Sequence, residues 1–597
     1  MSAAPFNFSP PNPTFEPALG AVLGVRGSEA RVGLPAPSLS EALRATVGTF
    51  LAIAAGAHRL VGVVTEVDSN ADRSETRFGA VARVDLMGEI KQIDGVELFV
   101  RGVSAYPAIG DAARIIGADE LRLIYRATGA RTITVGALHH DETIAATVDV
   151  DNLLSKHFAV LGSTGVGKSS GVAVLIGAIL DARPDLRVFL LDGHNEYGRC
   201  FGARANVVSA ATLKLPFWLF NFEEFVDALY YGRPGVDEEI EILAEQIPIA
   251  KGMYLAQRAT QSDRLGLRKM DPRRAGFTVD TPVPYLLADL VNLIDERMGK
   301  LENRATRMHC HRLIARLEAL RSDPRYSFMF ENANVGGDTM AEILTHLFRL
   351  EPNGQPITVM QLAGLPTEVT DAVVCVLARM AFDFGLWSDG AAPLLFVCEE
   401  AHRYAPADRS AGFAPTRRAL MRIAKEGRKY GVYLGLVTQR PGELDPTIIS
   451  QCNTLFAMRL ANERDQELLR SAVTDAVANL LDFIPSLGTR EVVAFGEGLP
   501  LPTRLRFTQL PADRLPRSET FRLEGWDEEA GAERGFVRQV VERWRGAAGG
   551  GRLVEEAAPA PAFLSPAPPA MGPDPHSATA RLEQLRAQIL KRGPGIP

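Results

Sequence analysis

The feature that most constrains this 597-residue chain is the run Gly162-Ser163-Thr164-Gly165-Val166-Gly167-Lys168-Ser169. It follows Phe158-Ala159-Val160-Leu161, an apolar segment that reads as a short buried strand, and leads into residues 169–180, which read as an apolar helix. Strand, glycine-rich loop and helix in that order make a P-loop. The glycines let consecutive backbone N–H groups converge on an anion, the lysine reaches the β and γ phosphates, and the serine hydroxyl ligates magnesium. The expected nucleotide site is Gly162, Ser163, Thr164, Gly165, Val166, Gly167, Lys168, Ser169 and Ser170, with ATP and Mg2+ as its ligands.

Hydrolysis also needs a carboxylate at the end of a neighbouring strand. The run Leu394-Leu395-Phe396-Val397-Cys398 ends in Glu399-Glu400-Ala401-His402. Glu399 is expected to hold the magnesium shell through water, and Glu400 to act as general base on the attacking water. A third apolar strand, 432–437, ends in Thr438-Gln439-Arg440-Pro441, where the Gln439 amide is placed to sense the γ phosphate. Asp192, His194 and Glu196 follow a fourth strand, at the carboxyl edge where α/β sheets place ligands, and are candidates to orient water or magnesium. His309, Cys310 and His311 fall on an expected helix, where adjacent side chains point apart, and no zinc site is assigned there.

Charge narrows the rest. The chain carries 65 Lys and Arg against 72 Asp and Glu, a net −7, so a wholly basic nucleic-acid surface is excluded and DNA contact requires local clustering. Between Arg403 and Arg440 lie nine basic and two acidic residues, and the expected helix 416–430 presents Arg417, Arg418, Arg422, Lys425, Arg428 and Lys429. Such a helix is either a solvated face or, in a ring, the source of a guanidinium that reaches a neighbour's γ phosphate. Residues 405–415, rich in Ala, Gly and Pro with Arg409 among them, read as a mobile loop facing a central channel. Five scattered cysteines and the absence of a leader or spanning pattern point to the cytoplasm and away from membranes.

The fold class expected is α/β: a P-loop core with a helical insertion, preceded by a small N-terminal β-barrel. Short β-branched runs broken by Gly, Asp and Pro suggest the barrel, with a helix-compatible stretch at 38–47. The divisions are an arm at 1–16, the barrel at 17–140, the core at 141–221 and 352–500 around an insertion at 222–351, and a C-terminal segment at 501–545. An Ala/Pro/Gly linker follows at 546–578, and an amphipathic helix and tail at 579–597, read as a partner-docking or self-association element.

The segment 149–169, the Glu399-Glu400-Ala401-His402 block, and Arg428-Lys429-Tyr430-Gly431 through Thr438-Gln439-Arg440-Pro441 resemble the HerA-type ATPases, on the FtsK branch of RecA-like motors, over roughly residues 15–525. One departure is Glu399, where many such motors have Asp. The resemblance implies a RecA-like P-loop core, a homo-hexameric ring with DNA in its central channel, a C-terminal brace at 501–545 between subunits, and Arg428 as a finger acting on the neighbouring subunit. It also implies a separate effector protein, a NurA-type nuclease, another nuclease or a sirtuin-like NAD hydrolase, in DNA end processing or antiphage defence. The alternative is an ATP-binding hexameric scaffold that organises an effector without translocating.

Overall fold

The computed structural model describes residues 18–517, apart from 36–44, 57, 70–77, 127–128, 130, 231–232, 263–275, 301–303, 332, 334–336, 364, 366 and 472–480. The expected arm, most of the 38–47 helix, the later part of the brace, the linker and the terminal helix lie outside the described residues; Val47 and Gly48, at the end of that expected helix, form a turn.

Seven strands come first: β1 (Gly20–Arg26), β2 (Glu29–Leu34), β3 (Phe50–Ala55), β4 (His58–Ser69), β5 (Ala80–Ile93), β6 (Val96–Arg101) and β7 (Ala112–Ile115). Their order is β2-β1-β7-β3-β4-β5-β6, and an added β2–β5 pairing closes six of them into a barrel with β6 appended to β5. Closure depends on the length of β5. Its first half, from Ala80, pairs with β2, and its second half, from Gly88, pairs with β6. A side chain at position 88 would meet the Phe99 ring at 2.5 Å, so only glycine permits that approach. Val22, Val32, Leu51, Ile53, Leu60 and Val64 fill the interior, each contributing about 1.5–3 kcal/mol through burial.

The second sheet holds β8 (Thr132–Leu138), β9 (Ala145–Asp149), β10 (His157–Leu161), β11 (Arg187–Asp192), β12 (Ala205–Val208), β13 (Ile357–Gln361), β14 (Leu394–Glu399), β15 (Val432–Thr438), β16 (Cys452–Ala457), β17 (Glu491–Gly496) and β18 (Thr503–Phe507). Its order is β12-β13-β11-β14-β15-β10-β16-β17-β18-β8-β9. From β12 to β16 neighbours run parallel, and from β17 onward the pairings are antiparallel. The parallel strands are buried on both faces, which is why they read as unbroken apolar runs. β8 falls within the expected barrel domain 17–140, yet it pairs with β18 and belongs to the motor sheet. Alternating apolar residues mark a strand without saying which sheet it joins.

The insertion is helical, as expected from its periodicity, and lies between β12 and β13. Its longer helices are Phe222–Tyr230, Asp237–Ser262, Leu287–Gly299, Arg304–Ser322 and Met340–Phe348. It shares one apolar core with the sheet: Trp218, Phe225, Leu290 and Leu313 belong to the same buried cluster as Phe189 and Phe396. Buried Glu224 reinforces the join by accepting from both Arg379 Nε and Nη2 at 2.8 Å.

Candidate active site

β10 delivers the chain to the P-loop, and the helix Lys168–Ala182 carries it away. Gly165 and Gly167 adopt φ of 77° and 92°, left-handed values that side chains rarely accept. Gly167 is the N-cap of the helix, so the free N–H groups of its first turn open onto the loop. Farther along, a side chain at Gly171 would lie 2.7 Å from the Phe507 ring; its absence lets the helix settle against β18. Ser163 fixes the loop from the other side, donating from N and Oγ to the Arg459 carbonyl at 2.9 and 2.7 Å.

The strand order brings the acids into reach. β15 lies between β10 and β14, so the P-loop and the acidic pair face each other across one strand's width. Lys168, buried, places Nζ 3.5 Å from Glu400 Oε1. Glu400 holds a left-handed φ of 49°, a conformation costing an ordinary residue about 1–3 kcal/mol and characteristic of functional turns. Its Oε2 is buried without a hydrogen-bond partner. His402 Nδ1 lies 3.3 Å from that oxygen but is engaged with the Thr438 hydroxyl at 2.9 Å. Glu399 is differently placed: its Oε2 accepts the Gly193 N–H at 3.1 Å. Burial holds its carboxyl well above the usual range, the charges of Asp192, Glu196 and Glu400 add to that, and Lys168 opposes it. Gln439, at the end of β15, accepts the Thr164 hydroxyl and so ties the β15 end to the P-loop.

The charges of Asp192, Glu196 and Glu400 thus act on the Glu399 carboxyl against that of Lys168, and the Ser169 hydroxyl donates to Glu196 at 2.7 Å. An all-oxygen donor set with excess negative charge and an unpartnered buried carboxylate oxygen suits a small hard cation such as Mg2+. Lys168 and the loop amides suit a polyphosphate.

The cleft is lined by Ser163, Thr164, Gly165, Gly167, Lys168, Ser169, Ser170, His194, Glu196, Glu399, Glu400 and Gln439 among the expected residues, and by Pro516 besides. Pro516 gave no signal in the sequence, and the contacts of Glu196 and His402 require the fold. Arg428 is not brought to this cleft. It is exposed on the turn Gly427–Tyr430 beside His157, at the start of β10, whereas the P-loop follows that strand's end. The basic helix spans Ala414–Glu426, followed by the 3-10 turn Gly427–Tyr430, and part of its charge is used internally. Arg418 pairs with Glu223, and Arg422 pairs with Asp383 while covering the Phe382 ring at 4.1 Å. The loop expected to be mobile is anchored at its start: Ala407 N–H donates to the Glu443 carbonyl, Asp445 N–H to that of Ala405, and Pro406 bridges to Leu444. Arg409 stands exposed on it.

His157 links the strand to the basic helix. Leu434 N–H donates to its Nδ1 at 2.9 Å, which places the proton on Nε2, facing the Ala424 carbonyl at 2.9 Å. Burial lowers its pKa to about 4. The unfolded chain therefore takes up a proton near pH 6.5 that the folded chain refuses. This contribution to stability is complete above about pH 6.5 and is lost as pH falls toward about 4, by up to about 1.4 kcal/mol per pH unit. The stability gap between wild type and His157→Gln is expected to narrow by about 2 kcal/mol between pH 7 and 5 in denaturant titrations. A gap that stays constant rejects the neutral, buried imidazole.

Residues 133–381 match the family described as Helicase HerA, central domain. The chain is similar to the DNA double-strand break repair helicase HerA of Pyrococcus furiosus, 27% identical over 461 residues covering 71% of this chain and 77% of the relative. It is also similar to the helicase of the same description from Sulfolobus acidocaldarius, 25% identical over 451 residues, 73% of this chain and 80% of the relative. Among solved structures, VirB4 of Thermoanaerobacter pseudethanolicus matches with a TM-score of 0.41 and 14% identity, over 64% of this chain and 97% of that one. The architecture defines a class, the P-loop ATPases with a RecA-like core. Within it, the match over 133–381 and the sequence relatives show what this chain is similar to, the HerA helicases. Among the described residues no helix is long and apolar enough to cross a membrane.

Proposed function

We propose that the protein is a homo-hexameric, ATP-driven DNA translocase acting with a separate effector, a nuclease or NAD hydrolase, in DNA end processing or antiphage defence. The observation that carries the reading is the Glu400 carboxylate, beside Lys168 with one oxygen unpartnered in the P-loop cleft. Lys168 and the loop amides bind the β and γ phosphates; Ser169 and Glu399 hold magnesium, Glu399 through water. Magnesium, when bound, neutralises charge on the phosphate oxygens. Glu400 takes the proton from water as its oxygen bonds to the γ phosphorus and the bond to ADP breaks. Glu399 is the poorer base, since one oxygen is tied to Gly193 N–H and burial favours its protonated form. Gln439 connects the state of the γ phosphate to β15.

Arg428 supplies the remaining positive charge from a neighbour. Its position at the opposite end of the strands from the cleft supports a head-to-tail contact, the kind that closes into rings. The names of the sequence relatives support DNA as the track. The experiment is ATP turnover with and without duplex DNA: a translocase is stimulated, and a turnover indifferent to DNA favours the scaffold reading instead.

A further inference from the structure

We infer that Glu196 is a positioning residue for the magnesium of this site, a third carboxylate beside Glu399 and Glu400; the inference rests on the ATPase reading above. The segment after β11 is built to hold this side chain in place. Asp192, at the strand end and fully buried, accepts the N–H groups of Glu196 and Tyr197 at 3.0 and 2.9 Å. Its own carbonyl accepts Leu362 N–H at 3.0 Å. Asn195 takes a left-handed φ of 55°, and its side-chain oxygen accepts Ala363 N–H at 3.4 Å. The turn is thereby locked to the β13 end, and the Glu196 carboxylate is presented to the Ser169 hydroxyl at 2.7 Å, inside the cleft that Lys168 and Glu400 line.

A carboxylate kept only to brace the helix start would have no need of a cleft-lining position among acids. The buried Glu400 oxygen without a hydrogen-bond partner, in the same cleft, is a second, independent mark of a missing positive charge or donor. When a metal takes the Ser169 oxygen, Glu196 is left as an acceptor beside it, suited to a water of the ion's shell, as carboxylates outside the ligand sphere commonly are.

The test uses the full-length protein, fluorescent mant-ADP and a Mg2+ titration. Glu196→Gln is expected to raise the Mg2+ concentration that half-saturates the metal-dependent gain in mant-ADP affinity by about tenfold, while affinity in EDTA stays at the wild-type value. Glu196→Asp, which keeps the charge on a shorter arm, is expected to recover most of the shift, and Glu196→Ala, which removes the carboxylate, serves if the glutamine variant does not fold. A Mg2+ requirement equal to wild type in Glu196→Gln or Glu196→Ala overturns the inference, as does a loss of affinity that is equal with and without Mg2+, the mark of a bracing role alone. A wild-type protein whose mant-ADP binding ignores Mg2+ would instead overturn the ATPase reading beneath it.

Discussion

Lys168→Ala is expected to abolish nucleotide binding, and Glu400→Gln to leave binding intact while stopping turnover. The two side chains lie 3.5 Å apart, yet they do different work. Without the ammonium, the β and γ phosphates face Glu399, Glu400 and Glu196 uncompensated, so affinity is lost at the ground state. Without the Glu400 carboxylate, phosphate contacts persist, but the attacking water has no base, a loss of about 10²–10⁴-fold in rate. Equilibrium binding of a fluorescent nucleotide, followed by phosphate release, separates the two. Turnover within about twofold of wild type for Glu400→Gln would move the base to Glu399.

Arg428→Ala alone is expected to lower turnover by about 10³-fold with nucleotide affinity little changed, the scale of a lost arginine finger. Its exposed place at the start of β10, away from its own P-loop, makes the defect complementable. Rings mixed from Arg428→Ala and Lys168→Ala subunits should recover part of the activity, because some interfaces then pair an intact P-loop with an intact finger. Verified mixed hexamers that stay inactive would remove Arg428 from action in trans. The nearby Arg418 and Arg422 are poorer candidates, since Glu223 and Asp383 already hold them.

What was legible in the sequence followed from local chemistry. The P-loop announces itself because strand, glycines, lysine and helix are contiguous, and the Glu399-Glu400 pair because it closes an apolar strand. The runs 394–398 and 432–437, expected as strands beyond the insertion, are both strands of the motor sheet. What was not legible depends on which distant segments meet. No local pattern says that β5 returns to β2 to close the barrel, that β8 leaves the barrel for the motor sheet, or that the insertion shares a core with Phe189 and Phe396. Side-chain contacts show the same limit. Glu196 was visible as an acid near a strand end, but its reach to Ser169 comes from the turn at Asn195 and its anchorage to Ala363. The loop at 405–415 was expected to be mobile because composition records turn residues and not the backbone bonds to Glu443 and Asp445 that hold its first residues.

The proposed function couples hydrolysis in this cleft to movement along DNA. The most direct measurement is steady-state ATP turnover of the wild-type protein across a series of duplexes of increasing length, at constant base-pair concentration and fixed salt. Turnover above the DNA-free rate that rises with length toward a plateau is expected, because a moving ring spends less of its time leaving and rebinding ends on longer tracks. A turnover rate that is the same without DNA and at every length would contradict it.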